Sequence, residues 1–70
     1  MNGNIFGVRL KELRIQKGLQ QIDVAKVLNC SYVTISRWEM GVRNPSLDDI
    51  VRIANYFNVT TDYLLGLQDF

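Results

Sequence analysis

Residues 19–39, LQQIDVAKVLNCSYVTISRWE, limit what this chain can fold into more than any other stretch. Their first part predicts a short helix over about residues 21–28, because small and apolar side chains recur there at helical spacing. Asn29 tolerates the left-handed backbone that ends a helix, and Ser31 is a favoured N-cap for a second helix over residues 32–39. The stretch therefore predicts two short helices joined by a tight turn.

The second of these helices has two different faces. At about 100° per residue, Ile35 and Trp38 point to one side, which is the expected core side. The opposite side carries an aromatic ring, a small apolar group, a hydroxyl and a long cation, from Tyr32, Val33, Ser36 and Arg37. Groups of these kinds contact base edges in the major groove of DNA. This outer face is the predicted working surface, with Thr34 and Glu39 at its borders.

Three more helices are predicted, one before this stretch and two after it, over about residues 5–17, 46–57 and 61–65. Gly18 ends the first helix because glycine readily adopts a left-handed backbone. Ser46 and Asp49 have the spacing of a capping box at the start of the fourth helix. No segment alternates apolar and polar residues as a strand does, so an all-α fold is expected.

The length of 70 residues indicates one domain, predicted over residues 1–70 with an ordered core over about residues 5–66. The net charge is +1, but residues 1–44 carry +4 and residues 45–70 carry −3. This asymmetry favours a polyanion as partner of the first part, and ordinary scatter in a short chain is the alternative. We find no apolar run of about 18 residues and no secretory signal, so a cytoplasmic protein is expected.

Catalytic and metal-binding chemistry has little support in the composition. The chain has no histidine and one cysteine, Cys30, which excludes Cys–His pairs, Ser–His–Asp sets and the common metal-ligand clusters. None of the glycines has the spacing of a phosphate-binding loop. We expect no enzyme activity, no catalytic residue, no metal and no cofactor, and we interpret Cys30 as a buried structural thiol in a reducing compartment.

Four motifs are spread along most of the chain. They are LRIQKGL at residues 13–19, S-x-x-T-I-S-R-W-E at 31–39, G-x-R-N-P-S-L-D-D-I at 41–50 and NVTTDYLLG at 58–66. Together they resemble the helix-turn-helix domains of the phage repressor and Cro type, the XRE family, over about residues 6–65. The resemblance implies a compact five-helix, lambda-repressor-like domain. It also implies that helix 32–39 enters the major groove of a palindromic operator, usually as part of a homodimer.

Carried over position by position, the resemblance implies roles for individual residues. Base reading falls to Tyr32, Val33, Ser36 and Arg37, and contacts to the DNA backbone fall to Gln20, Gln21, Thr34 and Arg43. At Val33 the only readout available is an apolar contact, for instance with a thymine methyl group. Arg14 and Glu39 match a partly buried ion pair between the first and third helices.

A homodimer on DNA is expected because one recognition helix covers too few base pairs to specify a site in a genome. The segment after residue 57 carries no Lys or Arg, and its predicted dimer interface consists of Tyr63, Leu64, Leu67 and Phe70. The alternative is that Tyr63 or Leu64 seals the domain's own core. Val8 and Ile15, on the far side of the first helix, are the next candidate surface, although isolated exposed apolar residues are common.

The predicted function is a sequence-specific DNA-binding transcriptional regulator, most simply a repressor that occludes a promoter. An antitoxin or a restriction-modification controller is an alternative within DNA binding. A protein-interaction module that binds no DNA is the alternative of another class. Arg37, Arg43 and Gln21 favour DNA because they converge on one side. No membrane partner is expected, and no small-molecule ligand, since we find no second domain to sense one.

Overall fold

The structure is a computed structural model that describes residues 4–69. Five helices follow one another: α1 (Ile5–Gln16), α2 (Gln21–Leu28), α3 (Tyr32–Met40), α4 (Leu47–Phe57) and α5 (Thr61–Leu64). Within the described residues there is no strand. The all-α, five-helix fold expected from the sequence is confirmed, and each predicted helix end lies within one residue of the observed end.

The helix boundaries have local causes. Ser31 caps α3 by accepting a hydrogen bond of 3.3 Å from the backbone N–H three residues later. At the start of α4, the Asp49 N–H donates to Ser46 Oγ at 3.1 Å and the Ser46 N–H donates to Asp49 Oδ2 at 3.0 Å. Asn29 and Asn58 end α2 and α4 with φ angles of 56° and 55°, which asparagine tolerates. These short-range contacts explain why the sequence predicts the boundaries well.

Each of the five helices contributes a large side chain that is fully buried in one shared core. These side chains are Leu10, Val24, Ile35, Ile53 and Leu64. Burying each of them contributes about 1.5–3 kcal/mol relative to leaving it in water. The core therefore involves even the shortest helix, α5.

The helices are arranged so that α2 and α3 pack against each other, α1 packs against α3 and α5, and α4 packs against α2 and α5. The chain measures 27 × 24 × 21 Å along its principal axes. No described helix has the length and apolar character needed to cross a membrane.

A close approach at Gly7 fixes the end of α3 against α1. A Cβ atom on this residue would lie 2.3 Å from the carbonyl oxygen of Trp38 and 2.9 Å from that of Glu39. The neighbouring Asn4 Nδ2 donates to the same Glu39 carbonyl oxygen at 3.1 Å. Only glycine fits at this crossing, and the contact positions the C-terminal end of α3.

Arg9 attaches the segment after α5 to α1. Its Nη1 donates to the carbonyl oxygens of Tyr63 and Gln68, and its Nη2 lies 3.8 Å from Asp69 Oδ1. The guanidinium also stacks 4.4 Å from the centroid of the Tyr63 ring, which is partly buried. Arg9 thus helps to hold the described part of the C-terminal segment, together with a 3.1 Å hydrogen bond from Thr60 Oγ1 to Gln68 Oε1.

Candidate nucleic-acid interface

The outer face of α3 is free of other helices. The side chain of Tyr32 is 55% exposed and that of Val33 is 38% exposed. Arg37 is exposed as well, and Ser36 is partly buried. One turn of helix therefore presents a phenol, an isopropyl group, a hydroxyl and a guanidinium to the outside, on the face that the sequence pattern indicates.

Glu39 attaches the C-terminal part of α3 to α1 and α2 through hydrogen bonds. Its carboxylate accepts 2.8 Å and 3.0 Å hydrogen bonds from Arg14 Nε and Nη2, and a third of 3.2 Å from Gln21 Nε2. Arg14 Nη1 also donates to the Leu19 carbonyl oxygen at 3.0 Å. The structure thus brings the predicted pair together, and it places Glu39 in the interior rather than at the border of the outer face.

Arg14, Gln21 and Glu39 form the Arg14 cluster, and burial and charge explain why its contacts are tight. The Arg14 side chain is 12% exposed and the Glu39 side chain only 4%. The hydrogen bond to Glu39 raises the pKa of Arg14 above its ordinary value, although burial acts in the opposite direction. The arginine consequently stays charged, and each of the two carboxylate oxygens of Glu39 has a partner.

A shallow depression lies between the start of α2 and the start of α3. It has a volume of about 530 Å³, and its lining includes Gln20, Gln21 and Tyr32. Gln20 is exposed, and its backbone N–H donates to Asp23 Oδ2 at 2.7 Å, as an N-cap residue does. Gln21 is partly buried, because its amide nitrogen bonds to Glu39. The two glutamines expected at the DNA backbone therefore lie together at one border of α3.

A second groove, of about 360 Å³, lies between α3 and the loop that leads to α4. Thr34 and Arg43 both line it, and Thr34 Oγ1 lies 3.3 Å from Ser31 Oγ. Trp38 lines the same groove, and its buried Nε1 has no hydrogen-bond partner within residues 4–69. The other two residues expected at the DNA backbone thus lie at the opposite border of α3.

The cations around α3 fall into two groups. Arg14 is buried and bound to a carboxylate. Arg37 and Arg43 are exposed, and neither forms a hydrogen bond or an ion pair with any residue of the described part of the chain. The exposed pair is therefore available to a polyanion.

The four residues predicted to form a dimer interface do not share one surface. Leu64 is fully buried in the core, so its predicted place in the interface is wrong, because the short helix α5 needs that side chain to attach itself. Tyr63 is partly buried beneath Arg9, and Leu67 is 72% exposed. Phe70 lies outside the described residues. Only Tyr63 and Leu67 stay available as a proposed contact.

Cys30 lies in the turn between α2 and α3 and is partly buried. Burial raises the pKa of its thiol, and the nearby charge of Asp49 acts in the same direction. A thiol with a raised pKa is a weak nucleophile at neutral pH. Among the described residues, no group of three or more His, Cys, Asp or Glu side chains is placed to hold a metal ion.

A family model described as helix-turn-helix matches residues 10–64 of this chain. The chain belongs to the helix-turn-helix family. The matched family is the XRE family of helix-turn-helix domains. Among its relatives is the HTH-type transcriptional regulator ImmR of Bacillus subtilis, which is 42% identical over 64 residues. That match covers 91% of this chain and 50% of ImmR, so the chain spans half the length of this relative.

Two solved structures have the same fold as this chain. The restriction-modification controller protein C.AhdI from Aeromonas hydrophila superposes with a TM-score of 0.79 at 33% identity, covering 90% of this chain and 91% of that chain. The P22 c2 repressor protein, in complex with synthetic operator 9T, superposes with a TM-score of 0.79 at 25% identity. The latter match covers 84% of this chain and 89% of the repressor chain.

Proposed function

We propose that this helix-turn-helix chain is a sequence-specific DNA-binding transcriptional regulator, most simply a repressor. The observation that carries the proposal is the exposed outer face of α3, where Arg37 has no partner among residues 4–69. In the proposed complex α3 enters the major groove, where Arg37 donates two hydrogen bonds to a guanine and Val33 contacts a thymine methyl group. Tyr32 and Ser36 contact neighbouring base edges.

The borders of α3 hold the DNA backbone in this proposal. Gln20 and Gln21 bind a phosphate on one side, and Thr34 and Arg43 bind a phosphate on the other. Phosphate contacts on both sides fix the depth and the tilt of α3, and base contacts then select the sequence. The two depressions described above support this assignment, because each has polar side chains next to α3.

Gln21 has a double role in the proposed complex. Its amide nitrogen donates to Glu39 at 3.2 Å, and Glu39 belongs to α3. A phosphate bound at the start of α2 is therefore linked through one side chain to the recognition helix. This link transmits the position of the DNA backbone to the helix that reads the bases.

The proposed regulator binds a palindromic operator as a homodimer, with Tyr63 and Leu67 at the contact between the two copies. Two copies are needed because a single α3 reads only a few base pairs. The contact is small, so it forms mainly when DNA brings two copies together. The chain has no enzymatic role in this proposal, and we propose that it binds its double-stranded DNA in the cytoplasm.

A restriction-modification controller is the second candidate function, and the similarity to C.AhdI favours it over an antitoxin. A repressor, a restriction-modification controller and an antitoxin would all use the same interface in this proposal, since each would bind DNA through α3. A protein-interaction module without DNA binding is the remaining alternative. It would use the exposed Tyr32 and Val33, but it leaves Arg37 and Arg43 without a role.

Fluorescence anisotropy with a labelled random-sequence duplex at low salt tests the proposal. We expect binding that weakens steeply as salt is added, because each neutralised phosphate releases counterions. The matched control is the double variant Arg37→Ala and Arg43→Ala, which changes only exposed side chains and should lose most of this binding. A wild-type chain that stays unbound at low salt contradicts the DNA-binding proposal and favours the interaction module.

A further inference from the structure

The outer face of α1 carries a pattern that DNA binding does not use. Val8 is 47% exposed and Ile15 is 57% exposed, and both lie on the side of α1 opposite the buried Leu10 and Leu13. Between them, the sequence reads V-x-x-K-E-x-x-I. The pattern is symmetric about the point between residues 11 and 12, with an apolar residue at each end and opposite charges at the centre.

We infer that the outer face of α1, from Val8 to Ile15, is a docking surface for a second copy of this chain. Two α1 helices lie antiparallel across a two-fold axis that passes between residues 11 and 12. In that arrangement Val8 of one copy contacts Ile15 of the other, and Lys11 of one copy faces Glu12 of the other. Each contact occurs twice, as a two-fold interface requires.

Charge complementarity selects a second copy as the partner. The face carries one cation, Lys11, and one anion, Glu12, so it complements itself rather than a polyanion or a strongly basic surface. Neighbouring residues in a helix do not face each other, so these two charges do not neutralise one another within the chain. Neither forms an ion pair within the described residues 4–69. Both are exposed and free to pair across the two-fold axis.

The size of the face sets the strength of the contact. Val8 and Ile15 are separated by about 10 Å along the helix axis, at about 1.5 Å per residue. A face of this length buries far less than the roughly 1,200–2,000 Å² of a stable protein–protein interface. The contact is therefore weak between free chains and becomes effective when DNA holds two copies close together.

The place of this contact in regulation rests on the proposed function. The contact between two α1 helices uses no residue of α3, so it leaves the proposed base-reading face uncovered. It is also separate from the proposed contact at Tyr63 and Leu67. A chain with two different two-fold contacts can link dimers in a row. The outer face of α1 then joins one DNA-bound dimer to the dimer on the neighbouring operator.

Charge reversal with rescue tests the inference directly in the 70-residue chain. The background is Leu67→Ser, an exposed change that removes the proposed C-terminal contact. Sedimentation equilibrium should detect weak self-association of this chain at high concentration. Lys11→Glu alone and Glu12→Lys alone each place like charges across the axis twice, and each should weaken association by about tenfold, as roughly 1.4 kcal/mol of lost pairing would.

Mixing the two variants provides the decisive measurement. One variant has two acidic residues at the centre of the face and the other has two lysines, so a mixed pair regains both charge contacts. We expect the equimolar mixture to associate at least as strongly as the parent chain. Lys26→Glu, a charge reversal on the exposed side of α2, is the matched control and should associate like the parent.

The inference is overturned if the mixture stays as weakly associated as the single variants, or if the single variants associate like the parent. Binding to a half-site duplex is measured alongside. Lys11→Glu should bind the half-site as Lys26→Glu does, because both changes lower the net charge by two. Glu12→Lys raises the net charge by two and should bind the half-site at least as tightly as the parent. A chain that binds no DNA contradicts the proposed function, while the association measurement without DNA still decides the inference about α1.

Discussion

Two arginines, Arg14 on α1 and Arg37 on α3, have opposite environments. Arg14 is 12% exposed in its side chain and donates to Glu39 and to the Leu19 carbonyl oxygen. Arg37 is exposed, and within the described residues it has no hydrogen-bond partner. The first charge has its partners inside the chain, whereas the second is free for a partner outside. The comparison separates two contributions: the Arg14 cluster stabilises the fold, and the Arg37 face is available for binding.

The largest expected effect is on the stability of the folded domain when the Arg14 cluster is broken. Glu39→Gln removes the charge that faces Arg14 and leaves a buried guanidinium without its counter-ion. Breaking a buried pair in this way costs about 3–5 kcal/mol. Because a small domain has a total stability of only about 5–15 kcal/mol, we expect a clear fall in the melting temperature without DNA. Thermal unfolding followed by circular dichroism measures it.

The matched control is Asp48→Asn, which removes an exposed carboxylate from α4. This change should leave the melting temperature nearly unchanged, since exposed charges contribute little to stability. An unchanged melt for Glu39→Gln as well would mean that the carboxylate is solvated and that the contrast with Arg37 does not hold.

The next largest effect is on base readout. Arg37→Ala should weaken binding to the specific operator by about 1–3 kcal/mol and relax base preference at one position. Its melting temperature should stay that of the wild type, because the side chain is exposed. Anisotropy titrations on the selected duplex and on a random duplex measure both affinities. Equal losses of affinity for the two duplexes would show that Arg37 contacts a phosphate rather than a base.

A smaller and more uniform effect is expected at the border of the face. Arg43→Ala should weaken binding to all sequences alike and lower the slope of log K against log salt by about 0.9. Titration of one duplex at several salt concentrations gives this slope. A loss confined to the specific duplex would show that Arg43 reads a base and would extend the reading face into the loop after α3.

The smallest effect is expected at the proposed C-terminal contact. Leu67→Ser should reduce cooperative binding to a full palindrome and leave half-site binding nearly intact, because the side chain is 72% exposed. A point change is preferable to truncation after Gly66, which would also remove the partners that Gln68 and Asp69 provide for Arg9. If cooperative binding survives the change, the dimer contact lies on another surface.

The helices could be predicted because their signals are local. The caps at Ser31 and Ser46, and the left-handed ends at Asn29 and Asn58, each depend on residues within one turn of helix. The outer face of α3 could also be predicted, since helical periodicity alone decides which side chains point away from Ile35. The pairing of Arg14 with Glu39 came from family resemblance, because the two residues are 25 positions apart in sequence.

Tertiary contacts account for what the sequence did not reveal. The close approach at Gly7, the attachment of the C-terminal segment by Arg9 and the 2.7 Å hydrogen bond from Arg52 Nη2 to the Leu28 carbonyl oxygen all join distant residues. Leu64 was misplaced for the same reason. An apolar residue in a four-residue helix has no periodicity that distinguishes the core from an interface.

The central claim is that the outer face of α3 reads DNA sequence. The most direct test is the ratio of affinities for a duplex recovered by selection from a random pool and for its scrambled counterpart, at one salt concentration. We predict a ratio of about a thousand or more for the wild type. For a chain in which Tyr32, Val33 and Arg37 are all changed to Ala, we predict a ratio near one with an unchanged melting temperature. A ratio that survives in this triple variant would contradict the claim.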